Sequence, residues 1–145
     1  MKGLLSKELL NLTYPAVYKH FKNKYYATMG CSLGATKKFI EGLLKEGQVG
    51  FIGYFKLVGQ ELPDGTEPDN AFIPFYRDKE GLYIHLVDDV WGNITPGTLV
   101  IYKSLYDLSP VYGREVTQFF SKVDRDKYTR EEYPQEYRFQ RMRGW

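Results

Sequence analysis

The sequence predicts a mainly β (α+β) protein, built as a strongly bent antiparallel sheet or a small SH3-like barrel with one inserted helix and a short N-terminal helix. Two observations support this prediction: short apolar and aromatic segments alternate with turn-forming residues, and two segments show helical spacing of apolar residues. The 145 residues, 43% hydrophobic and 26% charged, have the length and composition of one globular domain, 1–145.

The N-terminal helix is predicted from a serine followed by closely spaced leucines. Ser6 can cap a short amphipathic helix that partly buries Leu9, Leu10 and Leu12. The helix should end before Pro15, because a residue that precedes proline avoids helical backbone angles. We expect it to pack on the domain or to form a dimer contact.

A hairpin follows at residues 17–21 and 24–31, which are rich in β-branched and aromatic residues and are separated by Lys22-Asn23. The firmest helix prediction begins at Thr36 and ends at Gly47, a typical helix end. Apolar residues recur at helical spacing between these two positions, at Phe39, Ile40, Leu43 and Leu44.

The remaining segments are predicted as short strands and turns. Residues 49–58 form a strand in which Gly50 and Gly53 indicate a bulge, and 61–70 form a loop. A second hairpin turns at Gly81. Residues 114–120 fit either a helical turn or a strand. The other predicted strands are 72–77, 82–87, 98–106 and 137–142.

Composition limits the classes of partner. Tyrosine is abundant, with 13 residues, which suits a binding surface, although tyrosine also simply favours strands. The net charge of +2 provides no strong field for nucleic acid or a membrane, so any anion site must be local. Cys31 is the single cysteine and cannot form an internal disulfide, and no secretory signal or membrane span is recognised. A cytoplasmic location is the simplest expectation.

Several ordered motifs resemble one family. The chain reads Tyr-Lys-His-Phe-Lys at 18–22 and Leu-Val-Ile-Tyr-Lys-Ser-Leu-Tyr at 99–106, followed by Arg114 and later by Arg138-Phe139. This pattern resembles a short bacterial and phage domain of unknown function whose members open with Tyr-Arg-His-Phe-Lys-Gly and carry a Val-Tyr-Arg-x-Leu-Tyr strand.

The resemblance covers 14–31 and 98–141, and it implies that 32–71 is an insertion. The chain departs from the family where Tyr112-Gly113-Arg114-Glu115 replaces Trp-Val-Arg-Pro, and where Asn23 replaces glycine. The resemblance implies no activity, substrate or catalytic residue.

The candidate ligand-binding residues include both aromatic rings and cationic side chains. The resemblance implies that the segments that carry them lie close together in the fold. Rings can stack on a base, and guanidinium groups hold phosphate through paired hydrogen bonds. An equally weighted alternative is a barrel core with ordinary surface charge. The predicted residues are Tyr18, His20, Lys22, Tyr26, Tyr102, Tyr106, Arg114 and Arg138.

Catalytic and metal chemistry find little support in the sequence. The two histidines, His20 and His85, lack the spacing of metal ligands, and Cys31 lacks a nucleophile motif. Residues 30–36 are rich in glycine and precede a predicted helix, but they lack the lysine-serine pair that ends a phosphate-binding loop. We therefore interpret them as an ordinary connection into the helix. We therefore predict no metal, no cofactor and no catalytic residue. His20 alternates with Tyr18 and Lys22 on one strand face and is a candidate contact for an anion or a base.

The leading functional hypothesis is a non-enzymatic protein that captures a small nucleotide-derived, phosphorylated molecule. A specific form of this hypothesis is a phage protein that sequesters a host immune signal in the host cytoplasm. The alternatives are an RNA or single-stranded DNA binding barrel, which the near-neutral charge disfavours, a nucleotide enzyme with His20 as acid or base, and a protein-interaction adaptor. The aromatic residues of the charged C-terminal arm, 124–145, indicate an ordered arm, and an arm that crosses to another subunit would form a homodimer or higher homo-oligomer. No membrane partner is expected.

Overall fold

The computed structural model describes residues 16–59, 72–87 and 98–142. The predicted N-terminal helix and the predicted loop at 61–70 lie outside these residues. The elements are, in chain order, β1 (Ala16–His20), β2 (Lys24–Ala35), α1 (Lys37–Lys45), β3 (Val49–Leu57), β4 (Phe72–Asp78), β5 (Tyr83–Leu86), β6 (Thr98–Ser104), β7 (Tyr112–Glu115), α2 (Val116–Phe119) and β8 (Phe139–Arg141).

Six strands form a closed barrel in the order β5-β4-β3-β7-β6-β2, and β1 and β8 continue the sheet beyond β2. The long strand β2 makes this branching possible. Its first half pairs with β1, whereas Ser32 to Ala35 pair with β5 and close the barrel. The prediction of a small, mainly β barrel is confirmed. Two of its pairings, β2 with β5 and β3 with β7, are parallel, so the barrel is mixed.

Local sequence signals account for the turns and for α1. Asn23 has a φ of 67° and Gly81 a φ of 90°, the left-handed conformation that both hairpin turns require. The predicted bulge in β3 lies between Phe51 and Gly53. Thr36 caps α1, because its side chain accepts a hydrogen bond of 3.2 Å from the backbone N–H of Phe39.

Two apolar clusters lie on opposite faces of β6. Leu99 and Ile101 point into the barrel core with side chains of β3, β4 and β5, whereas Val100 and Tyr102 face an outer core formed with β1, β2, α2 and β8. Because both faces of β6 are covered, its sequence is a continuous apolar run instead of an alternating one. Two residues of the outer core, Tyr102 and Phe139, also line a cavity beside β7.

The described part of the segment predicted as an insertion, residues 32–59, contributes to the barrel wall. It supplies the end of β2, the helix α1 and the whole of β3, which pairs with β4 on one side and with β7 on the other. The ambiguous segment 114–120 contains both predicted conformations, since β7 ends at Glu115 and α2 begins at Val116.

No helix within residues 16–59, 72–87 and 98–142 is long and apolar enough to cross a membrane.

A buried side-chain hydrogen bond joins the two strands that close the barrel. Ser32 Oγ and His85 Nδ1 lie 2.8 Å apart, and both residues are fully buried. Replacing Ser32 with alanine removes one partner of a buried polar group, so we expect the free energy of unfolding to fall by about 1–3 kcal/mol. Urea denaturation will measure this loss. Ser109→Ala, which removes a hydroxyl bonded to the exposed carboxylate of Asp107, is the matched control, and equal losses in the two variants would contradict the prediction.

Candidate ligand-binding site

Two adjoining cavities open beside β7. The polar cavity, of about 370 Å³, is lined by Val58, Gly59, Arg114, Gln118, Asp124, Lys127, Tyr128 and Arg138. The aromatic cavity, of about 110 Å³, is lined by His20, Tyr26, Val58, Tyr102, Tyr112, Arg114 and Phe139. Val58 and Arg114 line both cavities, so the two spaces meet at these side chains.

The aromatic cavity is built from rings on neighbouring strands. Tyr102 on β6 pairs with Tyr112 on β7, and their ring centres lie 5.7 Å apart. Tyr26 on β2 and Phe139 on β8 approach Tyr102 at 5.4 and 5.3 Å. Phe139 is in turn stacked on Phe119 of α2 at 4.1 Å. These contacts hold the cavity wall in one arrangement.

Arg114 is oriented by hydrogen bonds to two side chains. Its Nε donates to Tyr102 Oη at 3.1 Å, and its Nη1 donates to Gln118 Oε1 at 2.9 Å. Gln118 is itself held, since its Nε2 donates to the carbonyl oxygen of Gly59 at 3.1 Å. Within the described part of the chain these bonds leave Nη2 of Arg114 available to a ligand.

Arg138 is a second, half-buried cation near Arg114. Burial and the positive charge of Arg114 lower the pKa of Arg138, while Asp124 opposes this shift more weakly. Among residues 16–59, 72–87 and 98–142 neither arginine forms an ion pair, and the ion pairs found there join Glu136 to Lys122 and Arg130. Two neighbouring guanidinium groups without a carboxylate partner form a site that favours an anion.

His20 lies at the end of β1 and is neutral at physiological pH. Burial lowers its pKa to about 4, and the nearby cations Arg114, Arg138, Lys22 and Lys24 add to the effect. The backbone N–H of Lys22 donates to Nδ1 of His20 at 3.1 Å. The proton of the neutral ring therefore resides on Nε2, and His20 can act there as a hydrogen-bond donor.

The low pKa of His20 predicts a specific dependence of stability on pH. The unfolded chain takes up a proton near pH 6.5 and the folded protein only near pH 4. The free energy of unfolding should therefore fall as the pH is lowered from about 6.5 to about 4. NMR titration of the histidine ring protons will give the pKa directly. A His20→Gln variant should lose this part of the pH dependence, and a measured pKa near 6.5 would contradict the prediction.

The structure brings five of the eight predicted site residues to the cavities. His20, Tyr26 and Tyr102 line the aromatic cavity, Arg138 lines the polar cavity, and Arg114 lines both. Burial raises the pKa of the hydroxyls of Tyr26 and Tyr102, so both remain protonated at neutral pH.

Three predicted residues do not line either cavity. Tyr18 is 3% exposed and packs edge-on against Phe119 in the outer core, so it has no face to offer a ligand. Tyr106 is exposed because β6 ends at Ser104, and it contacts only the edge of Tyr25 among the described rings. Lys22 lies at the margin, its Nζ 5.0 Å from the ring centre of Tyr128.

The C-terminal arm contributes lining residues that the predicted set lacks, including Asp124, Lys127 and Tyr128. Arg125 holds the arm, because it donates to the carbonyl oxygens of Tyr133 and Gln135 at 2.7 and 2.8 Å. The aromatic content of the arm indicated that it is ordered, but sequence spacing could not show which side chains face Arg114.

A separate surface carries exposed rings on β3 and β4. Phe51 contacts Tyr54 and Tyr76, with ring centres 5.6 and 5.5 Å apart, and Phe72 lies opposite Lys56 on the same hairpin. Phe51, Tyr54 and Phe72 are all exposed. None of these rings belongs to the predicted site.

Within the residues that the structure describes, no group of three or more His, Cys, Asp or Glu side chains is arranged to hold a metal ion. Comparisons with known protein families, with curated proteins and with solved structures found no match. The resemblance of residues 14–31 and 98–141 to a bacterial and phage domain therefore stays a prediction.

Proposed function

We propose that this protein binds a small phosphorylated, nucleotide-derived ligand, with the phosphate in the polar cavity and a planar ring in the aromatic cavity. The observation that carries the proposal is the pair of half-buried guanidinium groups, Arg114 and Arg138, in the polar cavity next to the aromatic cavity. A bound anion would relieve the repulsion between these two cations.

The arrangement suits phosphate in particular. Planar guanidinium groups match two phosphate oxygens with parallel hydrogen bonds, and Lys127 adds a third cation on the same cavity. Arg114 is already held by Tyr102 and Gln118. Little side-chain entropy is then lost on binding, which favours affinity.

We propose capture without chemical change. The proton of neutral His20 lies on Nε2 and Nδ1 accepts a backbone N–H, so the ring serves to bind and orient a ligand. If the resemblance to a phage-associated domain holds, the protein would sequester a host immune signal in the host cytoplasm, alone or as a homo-oligomer.

A ligand screen tests the proposal. The protein is incubated with linear and cyclic nucleotides and examined by thermal shift and by native mass spectrometry. A ligand present at 100 times its dissociation constant should stabilise the fold by about 2.7 kcal/mol. The bound mass should also be released unchanged on denaturation. No stabilisation by any nucleotide at millimolar concentration would refute the proposal, and a released mass that differs from the added one would indicate an enzyme.

The rings on β3 and β4 favour a second candidate function, the binding of single-stranded RNA or DNA by stacking. Phe51, Tyr54 and Phe72 are exposed on one hairpin beside Lys56, and rings on a sheet face can stack on successive bases. Fluorescence anisotropy with a labelled oligonucleotide will test this function. The double variant Phe51→Ala/Tyr54→Ala should weaken binding, and no binding by the unmodified protein at low salt would exclude it.

A further inference from the structure

Resting on the proposed function, we infer that the ligand is a phosphomonoester with a single six-membered ring that carries carbonyl groups, as in uridine monophosphate, in preference to purine or cyclic nucleotides. The inference combines the size of the aromatic cavity, the charge of the polar cavity and the hydrogen-bond donors between them.

Size limits the ring. The aromatic cavity measures about 110 Å³. A closed apolar protein cavity of about 150 Å³ accommodates benzene. The aromatic cavity is smaller and open towards the polar cavity, so it can cover much of one six-membered ring, whereas a fused bicycle would leave a larger part of its surface outside. Its walls resist expansion, because Tyr102 is 3% exposed and Phe139 is stacked on the fully buried Phe119.

Charge selects the phosphate. The polar cavity presents three cations, Arg114, Arg138 and Lys127, against one carboxylate, Asp124. A phosphomonoester carries a charge of about −1.5 to −2 at pH 7 and offers three terminal oxygens. A phosphodiester has one negative charge and two such oxygens, so it satisfies fewer of the donors on the two guanidinium groups.

Hydrogen-bond donors select the ring edge. Nε2 of His20 carries the proton of the neutral ring. The Oη of Tyr102 accepts from Arg114, which leaves its hydrogen to be donated elsewhere. Donors at the aromatic cavity favour a ring whose edge carries acceptors, and the two carbonyl groups of uracil are such acceptors.

Isothermal titration calorimetry at pH 7.5 tests the inference with uridine, cytidine, adenosine and guanosine monophosphates, cyclic uridine monophosphate, uridine and inorganic phosphate. We expect uridine monophosphate to bind at least tenfold more tightly than the purine and cyclic nucleotides, and more tightly than uridine or phosphate alone. Tighter binding of a purine or cyclic nucleotide would overturn this inference and leave the proposed function standing. Failure of all these compounds to bind would overturn both.

A substitution at Lys127 separates the phosphate site from the ring site. Lys127 lines the polar cavity and does not line the aromatic cavity. Lys127→Gln should therefore weaken every monophosphate alike, with the preference for uridine over adenosine monophosphate unchanged. Tyr112→Ala enlarges the aromatic cavity and should reduce that preference at least threefold. An unchanged preference in a folded Tyr112→Ala protein would overturn the inference.

Discussion

Replacing Arg114 with glutamine is expected to weaken ligand binding by about 100-fold, equivalent to about 2.7 kcal/mol. Arg114 lines both cavities and is held by Tyr102 and Gln118, so it is the side chain best placed to contact the phosphate and the ring together. Loss of a hydrogen-bonded charge at such a site usually costs about 2–5 kcal/mol of binding. Calorimetry with the tightest ligand from the screen will measure the change, and circular dichroism will verify folding.

Two further arginine variants provide controls. Arg138→Gln should also weaken binding, whereas Arg141→Gln makes the same charge change at an exposed position on β8 that lines neither cavity. Arg138 is weakly bonded in the ligand-free protein, with 3.5 Å between its Nε and Ser121 Oγ, and it faces the charge of Arg114. Its substitution should therefore leave the free energy of unfolding within about 1 kcal/mol of the original. Equal affinities of the Arg114 and Arg141 variants would contradict the proposed site.

The substitution Gly113→Val is expected to lower the free energy of unfolding by about 3 kcal/mol, at the upper end of the range for an overpacked core. A Cβ at Gly113 would lie 2.5 Å from two ring carbons of Phe55, and the ring of Phe55 is fully buried in the barrel core. The ring cannot move without disturbing its contacts with Phe75 and His85. Urea denaturation will measure the loss.

A double-mutant cycle identifies the cause of this loss. Phe55→Ala alone should destabilise the barrel by about 3–5 kcal/mol, because it removes a large buried ring. If Gly113→Val acts by collision with that ring, the double variant should lose at least about 1 kcal/mol less than the sum of the two single losses. Additive losses would show that valine at 113 acts in another way.

The same contact accounts for the glycine at position 113. Phe55 belongs to β3, and the pairing of β3 with β7 places its ring against Gly113. Only glycine leaves room for this ring, so glycine at 113 and the presence of β3 in the barrel are physically linked.

The sequence by itself determined the local structure. Lys22-Asn23 and Gly81 mark turns, Thr36 marks the start of α1, and the glycines of β3 mark its bulge, because each of these features depends on backbone angles or caps set by a few adjacent residues. The prediction of a small, mainly β barrel follows from the number and length of such segments.

Only the tertiary structure decided how the strands pair and which side chains meet. The parallel pairing of β2 with β5 joins Ser32 to Tyr83, although α1, β3 and β4 lie between them in the chain, and no local signal encodes such a contact. The same holds for the site. Tyr18 is buried because side chains of α2 and β8 cover it. Tyr106 is exposed because it lies beyond Ser104, where β6 ends. Residue type predicted the chemistry of Arg114 and Arg138, but their proximity arises from the packing of β7 against the C-terminal arm.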